Sequence, residues 1–125
     1  MAGFSDYIEP FILNAVFNNG AGAVPVIPTV HVKLHIGDPG ENGLGFPAVE
    51  TTRHPVTFAA AIGGSITSSA TVSWNNVSTT ETITYISFWD DPTAGNCLGS
   101  AQLNVAAPLQ ASDDLDLTSI VFTLD

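Results

Sequence analysis

Fixed positive charge is almost absent from this chain: among 125 residues only Lys33 and Arg53 carry it. A nucleic-acid binder displaces phosphate counterions with several Lys and Arg side chains, and two cannot make such a footprint. Phosphate and nucleotide enzymes normally clamp developing negative charge with cations, and little is present to supply a clamp. Cysteine is scarcer still. Cys97 stands alone, so no internal disulfide and no Cys-x-x-Cys metal or redox pair can form. No Lys, Arg or His adjoins it in sequence to favour a thiolate, and it reads as a small buried apolar residue. Apolar runs of membrane-spanning length are missing too, and the most apolar stretch is interrupted by Pro25 and Pro28. The residues from Met1 to Tyr7 include no basic n-region, so a secretory signal is not expected. Assembly in the cytoplasm, with departure only as part of a larger particle, is the expectation.

What is present is acid and apolar surface. Twelve Asp and Glu give a formal charge of -10, yet only 11% of residues are charged and 45% are hydrophobic, as in a folded domain. That charge favours solubility and repels nucleic acid and anionic membranes. The length suits a single domain over 1–125, divided into a helix and its cap (5–19), a Pro/Gly connector (20–28) and a β-sandwich (29–125). A helix is expected from Phe4 to Phe17, with Asp6 and Glu9 as a capping box and Pro10 in the first turn. Phe4, Ile8, Phe11, Ile12 and Ala15 share one face; Leu13, Val16 and Phe17 lie off it. The helix is thus apolar beyond what one core needs, which makes Phe11, Leu13, Val16 and Phe17 candidates for packing on a neighbouring subunit.

Thr29 to Gly37 is the clearest strand, with Val30, Val32, Leu34 and Ile36 on one face and Thr29, His31, Lys33 and His35 on the other. Further strands are expected over Pro55–Ala60, Ser65–Trp74, Thr82–Trp89, Cys97–Leu103 and Leu115–Leu124. Turn formers separate them, with an Ala106–Asp113 loop before the last. The last strand changes phase: Leu115 and Leu117 against Ile120, Phe122 and Leu124 predict a bulge or a switch of buried face near Ser119. Short strands after a single helix argue for a mainly β fold, an antiparallel, jelly-roll-like β-sandwich. Its edges lack the lysines that commonly guard against pairing, so they must be short, covered or paired with another chain.

Candidate chemistry is thin. His31, Lys33 and His35 share a strand face and are candidates for an interface. The Cα atoms of the two histidines lie roughly 13 Å apart at strand rise, too far for the imidazoles to chelate one metal unaided, and Lys33 between them opposes a cation. Asp113, Asp114 and Asp116, like Asp90 and Asp91, invite a calcium reading but lack the EF-hand pattern and read as loops. No nucleophile elbow and no phosphate loop is present, so no catalytic residue, metal or cofactor is assigned and an enzyme is not expected. Trp74 and Trp89 suit a sandwich core better than a sugar-stacking surface.

Several stretches resemble small β-rich structural proteins of tailed bacteriophages. Leu34–Gly40 resembles their strand with an Asp-Pro-Gly turn. Arg53–Phe58, followed by Gly63–Gly64, resembles their Arg-x-Pro-Val-Thr-Phe segment. Ile86–Asp90 with Thr93–Leu98 resembles their aromatic-Asp hairpin, although Trp89 stands where a smaller apolar residue is usual. The resemblance covers about residues 5 to 103 and implies a non-enzymatic virion component. A capsid decoration protein is the first expectation, bound to the outer surface of the major capsid protein and to copies of itself as a trimer. A tail or tail-fibre component is the alternative. From another class, a carbohydrate-binding module would use Trp74, Trp89 and the acidic loops.

Overall fold

A computed structural model describes residues 3–19 and 25–124. Its elements are β1 (Gly3–Phe4), α1 (Glu9–Phe17), β2 (Val30–His35), β3 (His54–Val56), β4 (Ser65–Thr67), β5 (Val72–Trp74), β6 (Glu81–Trp89), β7 (Cys97–Leu109), β8 (Leu115–Leu117) and β9 (Val121–Thr123). The fold is mainly β with one helix. Five strands form an antiparallel sheet in the order β1-β7-β6-β2-β3, and the pairs β4-β9 and β5-β8 face it.

The two pairs are one interrupted ribbon. Thr67 pairs with Val121 and Val72 with Leu117, so the four residues between them on one side oppose three on the other. This is the phase change read from the sequence, and it splits both the Ser65–Trp74 and the Leu115–Leu124 strands in two. At the break Ser68 exchanges bonds with Ile120 in both directions, its amide donating to the Ile120 carbonyl and its Oγ accepting the Ile120 amide, each at 2.8 Å. The side chain thereby satisfies a donor that the slipped ladder would leave unpaired. Leu115 and Ile120, of opposite parity, are both buried as a result.

The core lies between sheet and ribbon. Val32, Leu34, Ile86 and Phe88 point from the sheet towards Val72, Trp74, Leu115 and Ile120. Edge-on aromatic contacts close the gap, Phe88 to Phe122 at 5.7 Å and His54 to Trp74 at 5.0 Å between centroids. Each such buried aliphatic or aromatic side chain contributes about 1.5–3 kcal/mol of transfer free energy. Trp74 is fully buried and donates its indole N–H to the Thr52 carbonyl at 2.8 Å.

Several expected boundaries move. The Phe4–Phe17 helix starts only at Glu9, because Phe4 is taken by the sheet: it pairs with Gly99 and its ring meets Phe122 at 4.9 Å. Ser5 anchors the corner. Its amide donates to the Leu98 carbonyl at 3.0 Å and its hydroxyl to the Cys97 carbonyl. The Ser5 carbonyl accepts the Ile8 and Glu9 amides, each at 3.2 Å, in place of the expected Asp6–Glu9 capping box. Pro10 does sit in the first turn. The Pro55–Ala60 strand shortens to β3 because the chain then crosses to the ribbon, where Ala59 donates to Thr67. The strand expected to end at Leu103 continues to Leu109 and absorbs the start of the expected Ala106–Asp113 loop. It does so by bulging, since Tyr85 pairs with Gln102 but Ile83 with Ala107. Residues 20–24 of the expected connector lie outside the described residues.

Candidate functional site

The alternation of β2 places His31, Lys33 and His35 on the face of the sheet away from the ribbon. Across the ladder they oppose Trp89, Ser87 and Tyr85 of β6. This face is not open, as alternation alone suggested. The loop of residues 36–53 folds over it, and at Gly43 it lies so close that a Cβ would stand 2.5 Å from the Cys97 sulfur and 2.9 Å from the Trp89 ring. Gly43 also has φ +73°, which an L side chain rarely adopts. Asp38 starts the loop by accepting the Gly40 amide at 2.9 Å, and the Gly45 amide closes onto the Pro39 carbonyl at 2.8 Å.

Under the loop lies a connected polar group. His35 Nδ1 is 2.8 Å from the Gly45 carbonyl, which can only accept, so this nitrogen carries the proton. Nε2 is then the acceptor for the Ser87 hydroxyl at 2.7 Å, and Ser87 Oγ in turn accepts the Trp89 indole N–H at 2.7 Å. Burial, followed by the charges of Lys33 and Arg53, pushes the His35 pKa down, against the upward pull of its backbone hydrogen bonds. A serine bonded to a neutral imidazole has the outline of a nucleophile and its base. Both side chains are fully buried, however, and every polar atom of the pair already has a protein partner. The network serves to fix the loop on the sheet. Cys97 is equally shielded, and burial pushes its thiol pKa up.

At the margin of this face the two cations converge on one ring. The Arg53 guanidinium carbon lies 4.0 Å from the Trp89 centroid and Lys33 Nζ 5.8 Å from it, both within cation–π range. Arg53 Nη1 donates to the carbonyls of Asp91 and Ala94 at 2.9 and 2.7 Å, tying the covering loop to the β6–β7 hairpin. Burial lowers the pKa of Lys33 first, and the nearby Arg53 charge lowers it further. His31, on the same face, is half-buried, and its Nδ1 is shielded with no hydrogen-bond partner among the described residues.

The hairpin itself is built by carboxylates acting on backbone. Asp91 accepts the Thr93 and Ala94 amides at 3.0 and 2.8 Å, and Asp90 accepts the Asn96 amide at 2.7 Å. The Thr93 amide, then that of Ala94, hold the Asp91 pKa below its usual value. Asp113 and Asp114 likewise accept the amides of Gln110 and Asn76. These acids make turns, as expected. No cluster of three or more His, Cys, Asp or Glu able to hold a metal occurs among the described residues.

Of the helical candidates, Phe11 is half-buried, packs against the core and meets Tyr7 edge-on at 5.6 Å. Leu13, Val16 and Phe17 are 56%, 68% and 82% exposed. His35 is corrected outright: it faces the loop of its own chain and presents no surface to a partner. Arg53 and Trp89, the other half of the cationic site, are not among the interface residues expected from the sequence. The bulky Trp89 in place of a smaller residue was the available signal. Trp74 and Trp89 are both buried, so neither offers a stacking platform for a sugar ring. An apolar groove of about 270 Å³ also opens between the layers, walled by Phe4, Phe58, Phe88 and Phe122.

No curated protein matches the chain. A family model described as Podophage GP4 fiber I protein gp80 matches residues 3–124, nearly the whole length, and the chain therefore belongs to this family of small, β-rich bacteriophage structural proteins.

Proposed function

We propose that this protein is a structural component of the tail-fibre apparatus of a podophage virion. The membership of a fibre family over residues 3–124 carries this reading, and it favours a tail position over the capsid decoration expected from the resemblance. The site chemistry points the same way as regards class. His35 and Ser87 are committed to holding a loop and Cys97 is buried, which supports a role through shape and contacts. Exposed apolar side chains at Leu13, Val16 and Phe17, and at Ile36, Leu44 and Phe46 on the covering loop, suit a protein that finishes burying its surface in an assembly. Repeated modest contacts among copies and with neighbouring virion proteins would then hold it by avidity.

Quantitative mass spectrometry of purified particles, scaled to the major capsid protein, tests the placement. A copy number matching a tail ring or set of fibres is the expected result. Copies stoichiometric with the capsid lattice would return the protein to the shell surface, and absence from particles would end the virion reading.

A further inference from the structure

We propose that Lys33 and Arg53, converging on Trp89, form a receptor site for a carboxylate-bearing segment of a second copy of this chain. Twelve acids and two bases make the electrostatics between copies repulsive on balance, contacts that include the bases excepted, and both bases stand in one place. Their distances from the ring bound the separation of the two charges to about 10 Å, a Debye length at 0.1 M salt. Like charges held that close normally have an anion between or beside them. Among the described residues neither forms a contact ion pair: Lys33 contacts the Trp89 ring, and Arg53 spends Nη1 on two carbonyls, with the Asp91 and Asp90 carboxylates acting on Arg53 only from beyond contact distance and none of them on Lys33. The Arg53 Nη2 and Nε donors and the three of Lys33 remain without a hydrogen bond among those residues, while both side chains stay half-exposed. A guanidinium edge with an ammonium nearby is a match for a carboxylate.

The same chain supplies that ligand in unengaged form. Six acids (Asp38, Glu81, Asp90, Asp91, Asp113 and Asp114) accept hydrogen bonds from their own backbone. Asp6, Glu9 and Asp116 are exposed and make no such bond among the described residues. A cationic site on one copy and free acids elsewhere on the next describe a head-to-tail contact, the kind that closes into a ring.

Sedimentation velocity of the purified chain tests this, at about 0.1 M and about 1 M NaCl, where the Debye length falls from ~10 to ~3 Å. The expected result is an oligomer at low salt that dissociates at high salt. Lys33→Gln, which removes a charge whose one described contact is a ring face, should raise the dissociation constant about tenfold and flatten the salt dependence. Circular dichroism matching the parent would show that the variant is folded. Asp6→Asn with Glu9→Gln, and Asp116→Asn separately, identify the donor: one of them should reproduce the loss. A parent chain that is monomeric at both salts would overturn the proposal, as would a folded Lys33→Gln protein that assembles with unchanged affinity and salt response. Either failure leaves the particle copy number, and so the fibre reading, to stand or fall by itself.

Discussion

His35 has no room for a second proton. Nδ1–H is committed to the Gly45 carbonyl, and protonating Nε2 would turn the Ser87 hydroxyl away and place a charge in a fully buried site beside Lys33 and Arg53. Its folded pKa therefore lies below the ordinary 6.5. In the unfolded chain the imidazole titrates normally, so below 6.5 the unfolded state binds more protons and stability falls with pH. The stabilising contribution is complete above pH 6.5 and is lost progressively as pH drops towards the depressed value. Urea midpoints measured from pH 7.5 down to about 5, above the range where ordinary carboxylates titrate, should decline, and His35→Gln should flatten the decline. An equal slope in both proteins would show that His35 is not the titrating group. Cys97 makes a parallel case: a buried thiol with a raised pKa should resist iodoacetamide in native protein and react once denaturant opens the fold. Rapid native alkylation would contradict the packing around Gly43. The sequence made Cys97 legible, because nothing beside it could activate a thiolate. It did not reveal His35, because alternation assigns a side chain to a face and is silent about a loop arriving from the following residues to cover that face.

The helix and the covering loop each divide into parts with opposite sensitivities. In α1 no residue is fully buried, and Phe11 and Ile12 carry the contact with the core. Phe11→Ala should cost about 2 kcal/mol, less than the 3–5 of a fully buried aromatic truncation. Phe17→Ala should stay within about 0.5 kcal/mol, since its ring is 82% exposed. Chemical denaturation of both variants checks this, and equal large losses would place the outer side of the helix in the core as well. In the loop, Gly43→Ala forces a methyl group into Cys97 and Trp89 at a backbone angle that L residues avoid, and a loss of more than about 1 kcal/mol follows. Gly40→Ala in the same loop has a similar angle but open space, so its smaller loss measures the angle alone. The start of α1 is not legible in the sequence, because Asp6 and Glu9 match a capping pattern locally while Phe4 and Ser5 are claimed by β7, a partner more than ninety residues away. The change of buried face near Ser119 was legible because a change of parity is a local signal, even though the extra residue beside Ser68 on the opposite strand was not.

Charge governs the molecule as a whole, and salt should act on folding and on assembly with opposite signs. A chain with net charge -10 holds like charges together when it folds, and among the described residues its acid–base attraction is confined to Asp91 and Asp90 acting on Arg53 without a contact ion pair. Screening therefore relieves repulsion in the compact state and removes little attraction. The melting temperature of a monomeric form, for which Lys33→Gln serves, should rise as NaCl increases from about 0.01 M to about 1 M, as the Debye length shrinks from ~30 to ~3 Å. Over the same range the parent oligomer should dissociate, because the contact between copies sets a cationic site against an acidic segment. Sodium chloride is the appropriate salt, since sulfate would strengthen apolar burial regardless of charge. A melting temperature that fell with NaCl would mean that attractive pairs, such as Arg53 with Asp91 and Asp90, outweigh the net repulsion. A rise in melting temperature together with salt-driven dissociation requires one acidic body whose few cations are reserved for a neighbour.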